Sequence, residues 1–140
     1  MINKFKIHLL LNPVAGNGLA KEKFLKLTEL LKKRKIEFTC QISKKPNELI
    51  FLAKEFVNHC SYQDIVLLVI GGDGSFNKVL NGIKLSNKPY FPFTYLPAES
   101  GNDFTRAANL ETNPEKLIFR LLKSHHYETV DCALFKLANG

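Results

Sequence analysis

At 140 residues the chain has one domain's length, and its 45% hydrophobic and 24% charged residues are those of an ordinary folded protein, which excludes disorder and collagen-like repetition. The longest purely apolar run, Ile65 to Ile70, falls far short of the ~20 residues of a membrane span, and no small-residue cleavage site follows the short apolar run at the amino terminus, so a cytoplasmic protein is expected. Twenty Lys and Arg against thirteen Asp and Glu leave a net charge of +7, which draws the protein toward phosphates, acidic lipid headgroups or nucleic acid.

In chain order, Ile7 to Leu11 is the first strand candidate. From Ala20 the apolar positions Ala20, Phe24, Leu27 and Leu31 recur at three- and four-residue steps, the period of an amphipathic helix. That helix ends in Lys32-Lys33-Arg34-Lys35, where cations complement the helix dipole and face water. No aromatic interrupts the cluster, as one would on an RNA-binding strand platform, so nucleic acid is not the expected partner. Phe38 to Ile42 reads as a second strand, and Asn47 as the cap of a helix striped by Leu49, Leu52, Ala53, Phe56 and Val57. Ile65 to Ile70 is apolar at every position and reads as a central strand covered on both faces. Phe76, Val79, Leu80 and Ile83 line the next helix, and Phe93 to Leu96 is a further strand. A short helix near Asn102 to Ala108 follows, then one capped by Asn113 with Pro114 at its first position, and a last strand over Thr129 to Leu137.

This alternation predicts an α/β fold in which helices cover both faces of a parallel sheet, a three-layer sandwich. Cys40, Cys60 and Cys132 are odd in number and far apart, and are expected to be buried free thiols rather than a disulfide or zinc framework. His8, His59, His125 and His126 lack a metal-ligand spacing and read as packing or surface residues. Asn139-Gly140 is a hairpin signal with no returning strand after it, so the chain is expected to be the first domain of a longer protein.

Three polar, glycine-containing segments each follow a strand and lead into a helix: Asn12 to Gly18, Gly71 to Asn77, and Pro97 to Phe104. In an open parallel sheet such loops gather along one edge. Glycine lets backbone N–H groups approach an anion, and a helix start offers unpaired donors at the positive end of its dipole, so three converging loops suit a polyphosphate. The Walker A spacing is absent, and Gly16-x-Gly18-x-x-Lys21 lacks the third glycine of a dinucleotide-binding turn. In Gly71-Gly72-Asp73-Gly74-Ser75, Asp73 could hold a metal or a ribose hydroxyl while the following N–H groups face phosphate oxygens. A tight turn with Asp73 capping the next helix explains the same residues equally well.

Taken together, Asn12-Pro13-x-x-Gly16, Gly71 to Ser75 with Asn77, and Pro97 through Gly101-Asn102-Asp103-Phe104 with Arg106 resemble the catalytic-domain pattern of diacylglycerol kinases and related bacterial lipid kinases, over nearly the whole chain. The resemblance implies a fold like the amino-terminal domain of 6-phosphofructokinases and NAD kinases, with residues 1–140 binding ATP and a β-rich domain beyond them completing a lipid cleft. Residue by residue it assigns ATP contacts to Asn12, Gly16, Asn17, Ser43, Gly72, Asp73, Gly74, Ser75, Phe76, Asn77, Ser100, Gly101 and Asn102. Asp103 and Asp131 match acidic positions of a water and magnesium network, though each reads equally as a capping or surface carboxylate. The catalytic base belongs to the second domain in that family, so the 140 residues alone are expected to be inactive.

What the resemblance implies is transfer of the ATP γ-phosphoryl group to a lipid alcohol, diacylglycerol first, with ATP and Mg2+ as cofactors. The charge of +7 would suit peripheral docking at the acidic inner face of a membrane, and solvated lysines on helix faces explain it as well. A homodimer of the full-length protein stays open. Two features depart from the family pattern: Glu99 stands where glycine is usual and Lys78 where glutamate is usual. A Lys78–Glu99 pair bridging neighbouring loops would link the two changes, and two unrelated surface changes account for them as well. An NAD kinase-like enzyme and a non-catalytic nucleotide-binding regulatory module are the alternative readings.

Overall fold

Period-two and period-four apolar patterns can be buried together only if strands and helices stack in layers, and they do so here. The computed structural model describes residues 6–45, 47–60, 65–98 and 113–123. Its elements are β1 (Lys6–Leu11), a 3-10 turn (Ala15–Gly18), α1 (Leu19–Lys33), β2 (Phe38–Ile42), α2 (Glu48–His59), β3 (Ile65–Gly71), α3 (Asp73–Lys84), β4 (Thr94–Pro97) and α4 (Pro114–Lys123). The helix expected near 102–108 and the strand expected over 129–137 lie outside the described residues, as do Cys132, His125, His126 and the Asn139-Gly140 pair.

The four strands form a sheet in the order β2-β1-β3-β4, and every pairing is parallel. β3 is buried along its whole length, as a strand between two neighbours and two helical layers must be. On one face Ile7, Leu9 and Leu11 of β1 join Val66, Leu68 and Ile70 of β3 in a core with α1 and α4. On the other, Leu10, Leu67 and Val69 pack with Leu49, Ala53 and Val57 of α2 and Val79 and Ile83 of α3. The three-layer α/β sandwich is therefore present.

Register sets where the loops begin. Leu11 lies beside Ile42 on one side and Ile70 on the other, and Gly71 lies beside Pro97, so the carboxyl ends are nearly level. From β1 the chain moves outward to β2, then crosses back over β1 to β3. The loops after β1 and β3 thus part at a switch point, where open parallel sheets hold their ligands.

Lys32 and Lys33 occupy the last turn of α1, and Lys32 through Lys35 are all exposed, which agrees with the dipole reading of the basic cluster. Lys35 takes the left-handed conformation (φ 57), and the N–H groups of Lys35 and Ile36 donate to the carbonyls of Lys32 and Leu31. This closure is normally built on glycine. At the start of α4 the Asn113 carboxamide oxygen accepts the N–H groups of Glu115 (2.9 Å) and Lys116 (3.1 Å), the expected cap.

Two expectations are corrected. Cys40 is exposed rather than buried, because β2 is an edge strand of the described sheet and exposes all but its first residue; Cys60 is half-buried. Asn47 stands at the cap position of α2 but makes no capping side-chain bond; instead the Glu48 carboxylate reaches back to the Lys44 N–H (2.6 Å).

His8 on β1 is a packing residue, 7% exposed and stacked on Phe56 of α2 with ring centroids 4.4 Å apart. In the neutral tautomer Nε2–H donates to the Gln41 carboxamide oxygen (2.8 Å) and Nδ1 accepts from the Thr39 hydroxyl (2.6 Å). Burial holds the imidazole below its ordinary value of 6.5, against an opposing contribution from Gln41. The unfolded chain therefore takes up this proton at higher pH than the folded one. The stability that neutral His8 contributes is complete above 6.5 and is lost as pH falls below that value toward the folded pKa. We expect the melting temperature to fall between about pH 7 and about pH 5, and His8→Phe, which keeps the stack, to show a shallower fall; equal slopes in the two proteins would contradict this account.

Candidate functional site

At the end of β1 the Asn12 N–H continues the ladder to the Ile70 carbonyl (3.1 Å). The Asn12 side chain then holds two loops at once. Its oxygen accepts the Val14 N–H (3.4 Å), and its Nδ2 donates to the Ser75 hydroxyl (3.2 Å) in the first turn of α3, just past the loop after β3. Beyond Val14 the backbone changes hand, with Gly16 (φ 63), Asn17 (φ 56) and Gly18 (φ 95) all left-handed. Such changes of hand turn N–H groups inward around an anion-sized concavity. α1 begins directly after Gly18, and no side chain caps it.

The second loop is shorter. β3 ends at Gly71, Gly72 occupies the cap position of α3 in an extended conformation without a side-chain cap, and Asp73 is the first helical residue. The cap position therefore belongs to Gly72, and Asp73 places a carboxylate in the first turn, at the positive end of the helix dipole. The first N–H groups of α3 have no acceptor within the helix and lie at the positive end of its dipole. Gly71 is required by close approach: a β-carbon there would collide with the Ser75 side chain, which is 2% exposed.

The third loop is described as far as Ala98, and its start is tied to both others. The Gly71 carbonyl accepts the Ala98 N–H (2.8 Å) and the hydroxyl of fully buried Tyr95 (3.2 Å). Lys23 of α1 donates Nζ to the Pro97 carbonyl (2.6 Å). A β-carbon on Gly16 would strike the Ala98 carbonyl, so the first and third loops touch at that glycine.

The structure brings Asn12, Gly16, Asn17, Gly72, Asp73, Gly74 and Ser75 to one edge. Ser43 is buried at the same edge one strand away, its N–H donating to the Leu11 carbonyl (2.9 Å). Asn77 is exposed one turn beyond Asp73 on α3. The Phe76 ring lies in the core against Phe93 (5.3 Å) and Tyr95 (5.1 Å), as the apolar face of its helix predicts, and its N–H is taken by the Gly72 carbonyl (3.0 Å), so it supports the loop from below. Ser100, Gly101, Asn102, Asp103, Asp131 and Glu99 lie outside the described residues, and with Glu99 so does its pairing with Lys78. Among the described residues no group of three or more His, Cys, Asp or Glu could hold a metal ion. Sequence reading missed Tyr95 and Lys23. Both carry only ordinary patterns, a strand aromatic and a helix lysine, and their roles depend on carbonyls distant in sequence.

Three loops that meet at the switch point of a parallel sheet, with helix starts lacking side-chain caps and a left-handed glycine turn, define an α/β domain of the kind that suits an anion. Residues 6–135 match the family described as the diacylglycerol kinase catalytic domain, and the chain belongs to that family. A Bacillus subtilis protein bearing the name "Putative lipid kinase YtlR" is 29% identical over 73% of this chain and 32% of its own length. A Staphylococcus haemolyticus protein, also named a "putative lipid kinase", is 32% identical over 65% of this chain and 29% of its own. The chain thus matches about a third of the length of these relatives. A crystal structure of a "putative diacylglycerol kinase" from Bacillus anthracis superposes with a TM-score of 0.64 and 26% identity, covering 84% of this chain and 43% of that one.

The two left-handed glycines offer a test. Gly16 combines positive φ with the Ala98 contact, whereas nothing lies near a β-carbon on Gly18. Gly18→Ala should cost about 1 kcal/mol in urea unfolding, the backbone contribution alone, and Gly16→Ala about 2 kcal/mol or more. Equal losses would show that the first and third loops are not in contact at Gly16.

Proposed function

We propose that the chain is the nucleotide-binding half of a lipid kinase that moves the γ-phosphoryl group of ATP to a lipid hydroxyl, with diacylglycerol the favoured acceptor. The observation that carries this reading is the junction of three carboxyl-end loops beside the uncapped start of α3. The backbone donors there fit a phosphate chain, and the Asp73 carboxylate in the first turn of α3 is proposed to meet the ligand's hydroxyls or counter-ion. When bound, ATP supplies the phosphoryl group, with ADP as the leaving group. The protein's part is to orient and neutralise it: Asn12 and Ser75 lock the first two loops together, Gly16 and Gly71 let backbone approach backbone, and Tyr95 braces the Gly71 carbonyl from the core.

Magnesium fits as an ion carried by the phosphates and one or two carboxylates, the usual habit of this cation. Asp73 is the described candidate, with Asp103 and Asp131 proposed beside it. Ser100, Gly101 and Asn102 are proposed to complete the phosphate contacts, and a domain beyond residue 140 to supply the base and the lipid cleft. The charge of +7 suits transient attraction to acidic headgroups, and no helix among the described residues is long and apolar enough to cross a membrane.

The test is transfer of radiolabelled phosphate from Mg-ATP to a panel of lipid alcohols and to NAD, using the full-length protein. Label should appear in a lipid alcohol, with Asp73→Asn reducing the rate about a hundredfold. Label in NAD instead would assign the soluble-dinucleotide reaction, and ATP binding with no transfer to any acceptor would assign a regulatory module.

A further inference from the structure

Lys78 follows Gly74 by one turn of α3 and is half-buried. Helical side chains lean toward the amino terminus of their helix, and this one is carried back over the first turn. Its Nζ lies 4.0 Å from the position a β-carbon on Gly74 would take, and that is the nearest atom such a carbon would meet. A lysine ammonium is normally placed at the other end of a helix, as Lys32 and Lys33 are on α1. Here it stands over the positive end of the dipole, and no carboxylate among the described residues forms an ion pair with it. An anion at the start of α3 would satisfy the ammonium and the helix together.

We propose that Lys78 is a phosphate-contacting residue of this chain, its ammonium reaching past Gly74 to the phosphate chain of a nucleoside polyphosphate. The proposal rests on the nucleotide-binding reading above and adds a charge contact to its backbone donors. Asp73, one residue from Gly74, and Glu99, whose residue lies outside the described part, are the carboxylates that could compete for the same ammonium. A lysine serving only Glu99 would matter to nucleotide binding only while that acid is present.

The experiment is a calorimetric titration of the full-length protein with ATP, ADP, AMP and adenosine, for the native chain, Lys78→Gln, Lys78→Arg, Glu99→Gln, and Lys78→Gln combined with Glu99→Gln. Lys78→Gln should weaken ATP about tenfold, the size of one charge-assisted contact, weaken ADP less and leave adenosine unchanged. Lys78→Arg should stay within about threefold of the native chain, since it keeps the charge. Loss of ATP affinity should persist when Glu99→Gln is the reference. Equal weakening of ATP and adenosine, no weakening, or a loss that vanishes in the Glu99→Gln background would each overturn the proposal while leaving nucleotide binding intact. Absence of ATP binding by the native chain would overturn the functional reading itself, and this proposal with it.

Discussion

The carbonyl oxygen of Gly71 accepts the Ala98 N–H and the Tyr95 hydroxyl, and the placing of all three loops depends on those bonds. Gly71 ends a strand buried on both faces, so its own position is set by the central sheet. An unpaired carbonyl at that depth would be costly, and the two donors remove the cost by drawing the start of the third loop against the second. The absence of a side chain at the same residue admits Ser75, whose hydroxyl then receives the Asn12 carboxamide of the first loop. One backbone position therefore joins loops that leave β1, β3 and β4.

The rest of the scaffold makes this junction rigid. Side chains on the two faces of the sheet belong to separate cores, one under α1 and α4 and the other under α2 and α3. Phe76 binds the junction to the second core through Phe93 and Tyr95, while Lys23 binds it to α1 above the first. Donors aimed at a charged ligand act most strongly when they need not reorganise, and packing from both sides supplies that constraint.

Not all of the positive charge is offered to partners. Lys32 and Lys33 sit against the carboxyl end of α1, Lys23 bonds the Pro97 carbonyl, and Lys88 bonds the carbonyls of Val57 and Cys60 at the end of α2. Lys23 and Lys88 satisfy acceptors at strand and helix ends, while Lys32 and Lys33 complement the helix dipole. A net charge of +7 is consequently a poor guide to ligand class by itself, and the placing of each cation relative to a helix end is the better one.

The sequence by itself determined the elements and the residues that end them. Ile65 to Ile70, apolar throughout, could only be a central strand; Ala20, Phe24, Leu27 and Leu31 could only be one helical face; Asn113 and Pro114 announced α4. These are local signals, because strand and helix periods and cap chemistry act over a few residues. Local pattern also marked the glycine-containing segments and the apolar face of α3 that carries Phe76, yet it misjudged Cys40 and the capping side chain of Asn47. Burial of Cys40 depends on whether another strand lies beside β2. Only the tertiary structure decided that Asn12 reaches Ser75, that Gly16 abuts Ala98, and that Tyr95 and Lys23 brace the same junction. Those contacts join residues dozens of positions apart, and strand order and register, which no short window of sequence encodes, bring them within a hydrogen bond's length.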